Sequence, residues 1–218
     1  MNKLFVILII WLFGWSLQAQ NDFYKSFIEA NKSYASNIEM TIIGLDSVTS
    51  VVKGKAIISD DVVYTKLKDT EFFSFDKHQI KVVNPEKTVL YSKVKNPNTN
   101  TGLTIDFETL QFFYFLKKPK ETSSGYSFEL DPIENMSQYL NKMFVKTDKE
   151  KRVTEVIVFF DKWNSYGLSK IIYKISNRTE IKESQIKVSN FFKINTDGSL
   201  ELLSKYKTYQ LIQPNDEK

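Results

Sequence analysis

Between Ser36 and Tyr91 the chain reads SNIEMTIIGLDSVTSVVKGKAIISDDVVYTKLKDTEFFSFDKHQIKVVNPEKTVLY. Ile38, Met40 and Ile42 alternate there with Asn37, Glu39 and Thr41, the period of two that marks a strand with one oily and one wet face. The stretch divides into six such runs: Asn37–Leu45, Ser50–Ser59, Val62–Lys68, Glu71–Phe75, Ile80–Asn84 and Lys87–Tyr91. Asp60 and Asp61, Asp69 and Thr70, Asp76 and Lys77, and Asn84 to Glu86 fall between them, where turn chemistry belongs. Pro85 has no N–H to give to a ladder and fits a turn. Six short strands in series predict an antiparallel meander.

Toward the N-terminus, Phe23, Phe27, Ala30 and Tyr34 recur at helical spacing while Lys25, Glu29 and Lys32 face elsewhere, which predicts an amphipathic helix over Asp22–Ala35 capped by Asn21 or Asp22. Its apolar stripe has to bury, and the adjoining meander offers an apolar face. Further upstream, Lys3, the apolar run Leu4–Trp15 and the small residue Ala19 have the layout of a secretory signal peptide cleaved near Ala19. A retained anchor is the rival reading, but the run falls short of the roughly 20 apolar residues that span a bilayer. A leader over residues 1–19 and a single domain over 20–218 are therefore expected.

Toward the C-terminus, a polar loop from Lys93 to Gly102 precedes a second helix, Thr104–Leu116, in which Phe107, Leu110 and Tyr114 share a face. Asp106 and Glu108 in its first turn, Lys117 and Lys118 after its last, and the stop at Pro119 support it. The aromatic run Phe112–Phe115 would make this helix deeply buried or the wall of a lipid-sized cavity. A short strand, Tyr126–Leu130, leads to a third helix, Pro132–Asn141, signalled by Asp131, Pro132 and Glu134. Strand periodicity then returns over Met143–Val145, Val153–Asp161, Leu168–Ile175, Gln185–Val188, Phe191–Ile194, Leu200–Leu203 and Tyr206–Ile212, with Asp197 and Gly198 as a hairpin signal. Val156–Phe160 is apolar on both faces, as in a covered central strand.

Composition removes whole classes of chemistry. The 218 residues contain no cysteine, hence no disulfide, thiolate nucleophile or cysteine metal site. An exported chain without disulfides fits a bacterial envelope. His78, the one histidine, has no partner at ligand spacing and reads as a solvated turn residue. The S-x-x-K spacings at Ser50, Ser74, Ser184 and Ser204 start no predicted helix and lack the companion motifs of their enzyme class. Lys53, Lys55, Lys66 and Lys68 around Tyr64 read better as the wet face of a sheet than as a nucleic-acid stripe. The net charge of +4 is too mild to name an acidic partner. No cofactor, metal or catalytic residue is expected.

What remains is an aromatic content of 14%, which fits either an ordinary β core or a cavity for acyl chains. The layout, and locally Lys53–Tyr91, resembles the periplasmic lipoprotein carriers, the LolA-like half-barrels. Gly54 stands as a glycine opening a strand, Val62–Leu67 as an aromatic strand, and Phe72–Tyr91 where that family has a hairpin ending in tyrosine. Val83, Asn84 and Pro85 replace the usual aspartate-glycine, Val89 and Leu90 replace a tryptophan, and the arginine-proline ahead of the aromatic strand is absent, so the family's cargo-release step is not carried over. The resemblance implies an α+β, mainly antiparallel fold: a curved sheet or incomplete β-barrel with helices on its concave face. It also implies a periplasmic, non-catalytic, monomeric carrier of lipid or lipoprotein acyl chains, in contact with envelope membrane proteins. On this reading Phe23, Phe27, Tyr34, Met40, Ile42, Phe107, Leu110, Phe113 and Tyr114 line the cavity. The alternative is a scaffold or interaction protein of an envelope assembly.

Overall fold

A computed structural model describes residues 19–59, 61–93, 114–133, 140–165, 167–181 and 186–213. The expected meander is present as β1 (Tyr34–Gly44), β2 (Thr49–Ile58), β3 (Val63–Leu67), β4 (Thr70–Phe75), β5 (His78–Val83) and β6 (Thr88–Lys93). A second run follows: β7 (Tyr114–Leu116), β8 (Lys120–Thr122), β9 (Gly125–Pro132), β10 (Leu140–Thr147), β11 (Val153–Phe160) and β12 (Leu168–Glu180). Near the C-terminus lie β13 (Phe192–Ile194), β14 (Leu200–Leu202) and β15 (Gln210–Ile212).

Thirteen of these strands form one sheet in the order β15-β6-β5-β4-β3-β2-β1-β12-β11-β10-β9-β7, with β8 also on β9. The two runs join through β1 and β12, whose antiparallel pairing extends from Tyr34↔Glu180 to Gly44↔Leu168. The sheet is curved and does not close, the α+β incomplete barrel predicted above. Among the described residues only β15 pairs in parallel, placing Gln210–Ile212 beside Thr88–Leu90. Gly54 lies inside β2 rather than at a strand opening. A Cβ there would stand 1.9 Å from the Lys66 carbonyl, so glycine lets β3 cross close to β2.

One helix, α1, spans residues 19–30 of the described chain. It stops short of the predicted Ala35, and Tyr34 belongs to β1 instead. The cause is a clamp at Asn31. Its side chain donates to the Phe27 carbonyl at 2.6 Å and to the Lys151 carbonyl at 2.9 Å, and accepts from the Val153 N–H at 3.0 Å. Arg178 donates to the same Asn31 at 2.7 Å and to the Ala30 carbonyl, and its guanidinium lies 3.6 Å from the Tyr34 ring. The Ala30 carbonyl is thus satisfied from β12, while those of Phe27, Ile28 and Glu29 accept from Asn31 and Lys32, and helical periodicity beyond Ala30 is overridden.

Tyr114–Leu116, the predicted end of the second helix, is strand β7, with Tyr114↔Pro132 and Leu116↔Leu130 in register. Pairing with β9 suits aromatic residues better than the helix that local spacing suggested. Residues 104–113 of that prediction lie outside the described residues. Both ends of the predicted third helix are also strand, since Pro132 closes β9 and Leu140 opens β10; residues 134–139 lie outside the described residues. Two predicted C-terminal strands are shorter or absent: Val188–Asn190 and Ser204–Tyr206 are 3₁₀ turns, and the last strand is only Gln210–Ile212. In the β13–β14 hairpin Gly198 adopts φ +83°, as the Asp197-Gly198 signal requires.

Two cores result, on opposite faces. α1 packs Tyr24 and Phe27 against Phe128, Leu130, Met143 and Val145 on the concave side. Gln20 and Tyr24 donate to the Leu116 and Lys117 carbonyls at 2.9 and 2.7 Å and fix the helix across β7 and β9. On the outer side of β4–β6, Phe73, Ile80, Val82, Val89 and Tyr91 pack against Phe192, Leu200 and Tyr206 from the C-terminal segment. Among the described residues, no helix is long and apolar enough to cross a membrane.

Candidate functional site

Register decides what faces the concave side. One cross-strand row runs Ser36, Ala56, Thr65, Phe72, Lys81, Leu90, Ile212. The next row on the same face runs Tyr34, Ile58, Val63, Ser74, Gln79, Ser92. From the other half of the sheet, Met40 pairs with Tyr173 and Tyr173 with Val156, while Met143 pairs with Val158. From Thr65 and Val63 onward along the two rows, these residues wall a cavity of about 780 Å³, which also takes in Ile38 and Leu67. That volume is inside the range of about 300–1,000 Å³ typical of small-molecule sites.

The wall is mostly aliphatic and aromatic, and solvent reaches it: Phe72 is 38%, Leu90 36% and Ile212 42% exposed. Its curvature explains why it is not filled. α1 covers the β9–β11 end, where Val156 and Val158 pack against its cluster, and that cluster takes in neither Met40 nor Tyr173 nor any residue of β3–β6. Side chains on an inwardly curved sheet thus face one another across a gap.

Of the nine cavity residues predicted from the sequence, Met40 stands in the wall. Phe23 and Phe27 belong to the packed cluster under α1, edge-on to Phe128 with ring centroids at 5.8 and 5.2 Å. Tyr34 is buried with Ile58 and Val63 in a small separate cluster. Ile42, half-buried, is on the concave face by register but past the cavity. Tyr114 is half-buried in β7 against the α1 cluster. Phe107, Leu110 and Phe113 lie outside the described residues. Sequence reasoning missed Phe72, Leu90, Met143, Val158 and Tyr173. Their signal was alternation on strands that had been located correctly, but it did not say which face of the meander would curve inward.

Electrostatics differ sharply between the two faces. Among the described residues, Lys81 is the one charged side chain in the cavity wall, with its amino group 5.8 Å from the Phe72 ring centroid. On the outer face, Glu71 is 2% exposed beneath the C-terminal segment. Tyr64 donates to it at 2.8 Å, Asn84 at 3.1 Å, and the Lys205 ammonium approaches both oxygens at 3.1 and 3.2 Å. Burial pushes the Glu71 carboxyl up, but the hydrogen bonds from Tyr64, Asn84 and Lys205 outweigh it and hold it below the ordinary carboxylate value.

His78 is not a solvated turn residue. It opens β5 with its side chain 12% exposed and Nδ1 2.9 Å from the Tyr91 hydroxyl. Burial lowers its pKa, with Asp76 opposing and Lys93 assisting. Among the described residues, no group of three or more acidic or histidine side chains is placed to hold a metal.

No family model matches the sequence, and no curated protein matches it by sequence. Solved structures similar to the chain include an uncharacterized conserved protein from Thermus thermophilus, 6% identical with a TM-score of 0.50, over 89% of this chain and 99% of that one. A LolA superfamily protein from Nitrosomonas europaea is 8% identical with a TM-score of 0.40, over 76% of this chain and 98% of that one. Pseudomonas aeruginosa MucB, in its complex with MucA, is 10% identical with a TM-score of 0.42, over 78% of this chain and 60% of that one. At 6% identity the likeness to the Thermus protein is one of fold alone. The class defined by the chain's own geometry is an open, curved antiparallel sheet with a helix on its concave side.

Proposed function

We propose that the protein is a non-catalytic carrier in the bacterial envelope, taking acyl chains of a lipid or lipoprotein into the concave cavity. One observation carries this: a cavity of about 780 Å³ with a largely apolar, solvent-reachable wall, in a molecule whose other apolar face is packed by its own C-terminal segment. A protein that merely needed a core would cover both faces. Residues 1–19 supply the export reading, and the lack of cysteine is consistent with the same compartment. Native mass spectrometry of protein purified from the envelope tests the proposal. Lipid-mass adducts that organic solvent strips off are expected. A bare protein mass, together with no uptake of a fluorescent fatty acid, overturns it.

A scaffold role has one observation of its own. The β1–β2 turn meets the β11–β12 turn through the Leu45 N–H and the Gly167 carbonyl at 2.9 Å. The same end of the sheet exposes Leu45 at 50%, Val48 at 65%, Val51 at 55% and Trp163 at 82%. Apolar side chains gathered at one end suit a protein partner. Affinity capture at natural abundance separates the readings: stoichiometric protein partners without lipid favour the scaffold.

A further inference from the structure

We infer that the cavity is polar at one end by construction and selects an amphiphile with a negatively charged head group, held against Gln79 and Lys81 with its chain toward Met40, Met143 and Val158. The inference rests on the carrier reading above and adds the ligand's chemistry and direction.

The two rows on the concave face give the asymmetry. Ser74, Gln79 and Ser92 lie side by side across β4, β5 and β6, and all three are in the wall. Lys81 follows Gln79 on the same face of β5, between Phe72 and Leu90. Among the described residues, no acidic side chain lines the cavity. At the opposite end the wall is Met40, Met143, Val156 and Val158, with methionines that adapt to a flexible chain.

Gln79 supplies an independent observation. Its Nε2 is buried without any hydrogen-bond partner, although buried donors are almost always satisfied. An unsatisfied donor on a residue of the cavity wall, two residues from Lys81, calls for an acceptor from outside, reached by turning the Gln79 amide toward the cavity. Among the described residues Lys81 is in no ion pair and lies beside the Phe72 ring, and a cation above a ring retains donors for an anion. A carboxylate or phosphate ester at this end would accept from Gln79 Nε2 and the Lys81 ammonium together. A cationic head would meet like charge, and a neutral ester would satisfy the amide but not the ammonium.

The test is displacement of a neutral fluorescent probe from the full chain by dodecanoate, methyl dodecanoate and dodecyltrimethylammonium at mildly alkaline pH. Dodecanoate is expected to bind about tenfold more tightly than the ester, the effect of one charge-assisted hydrogen bond at a partly solvated site, and its advantage should shrink with salt. Lys81→Met should abolish the difference while Lys81→Arg keeps it, and Gln79→Leu should weaken both ligands. Lys55→Met, on the outer face, controls for lost charge, and thermal midpoints confirm that each variant folds. Equal binding of all three ligands by the unmodified protein overturns the head-group inference and leaves the carrier reading standing. Binding of none overturns both. Tighter binding of the ammonium, or a preference that survives Lys81→Met, also overturns it.

Discussion

Strands β3–β6 have two faces made from the same kinds of residue, and the two have opposite fates. On the outer face Phe73, Ile80 and Tyr91 are at most 5% exposed under the C-terminal segment; on the concave face their neighbours Phe72 and Leu90 are 38% and 36% exposed around a void. Hydrophobicity alone therefore does not distinguish core from binding wall. What distinguishes them, among the described residues, is the C-terminal segment that covers the outer face.

The comparison breaks first, and with the largest effect, at Phe73. Phe73→Ala empties a site packed by Phe192 and Tyr206, with ring centroids at 5.1 and 6.4 Å, and should cost about 3–5 kcal/mol. Leu90→Ala, two strands over on β6 and facing the cavity, should cost about 1 kcal/mol while changing acyl-chain affinity. Denaturant unfolding of the two variants checks this; similar losses would mean that both faces are core.

A smaller effect is expected at Glu71, which fastens the outer cover. Glu71→Leu leaves the Tyr64 hydroxyl and the Asn84 amide without their acceptor and should cost about 1–3 kcal/mol. Because its carboxyl is held below the ordinary carboxylate value when folded, the unfolded chain takes up this proton first. The carboxylate's contribution is therefore complete at neutral pH and is lost as pH falls from the ordinary carboxylate value through the folded one. Unfolding midpoints followed down to acid pH should drop less steeply in Glu71→Gln than in the unmodified protein, and cavity ligands should be indifferent to that substitution. Smallest of all, Trp163→Ala at the exposed turn should change stability by less than about 0.5 kcal/mol. Calorimetry measures that, and capture experiments on the same variant show whether this end of the sheet holds a partner.

The same comparison explains what the sequence could disclose. Alternation at Ile38, Met40 and Ile42, and the aspartate and asparagine turns, placed β1 to β6 within a few residues, because strand period and turn chemistry are local. Tyr34 and Tyr114 were misplaced because helical spacing is also local, whereas the Asn31 clamp and the β7–β9 pairing join residues far apart in the chain. Tyr24, wholly buried under α1, fell outside the chosen stripe, since the helix turns a broader face to β9 and β10 than the spacing of Phe23, Phe27 and Tyr34 implied. Met40 was legible as a concave-face residue. Phe72, Lys81 and Gln79 were not, because the direction of curvature and the C-terminal cover on the other face are properties of the whole sheet.

The parallel seat of β15 beside β6 has a consequence for biogenesis. The nascent polypeptide completes its first six strands long before Gln210–Ile212 emerges, so the β6 margin waits unpaired and the Phe73 side waits bare until the final segment arrives. Such an intermediate is sticky at both its rim and its back. Chains cut short before residue 186 are expected to clump or be degraded, and a holdase that shields this half-finished sheet would raise the yield of the intact molecule.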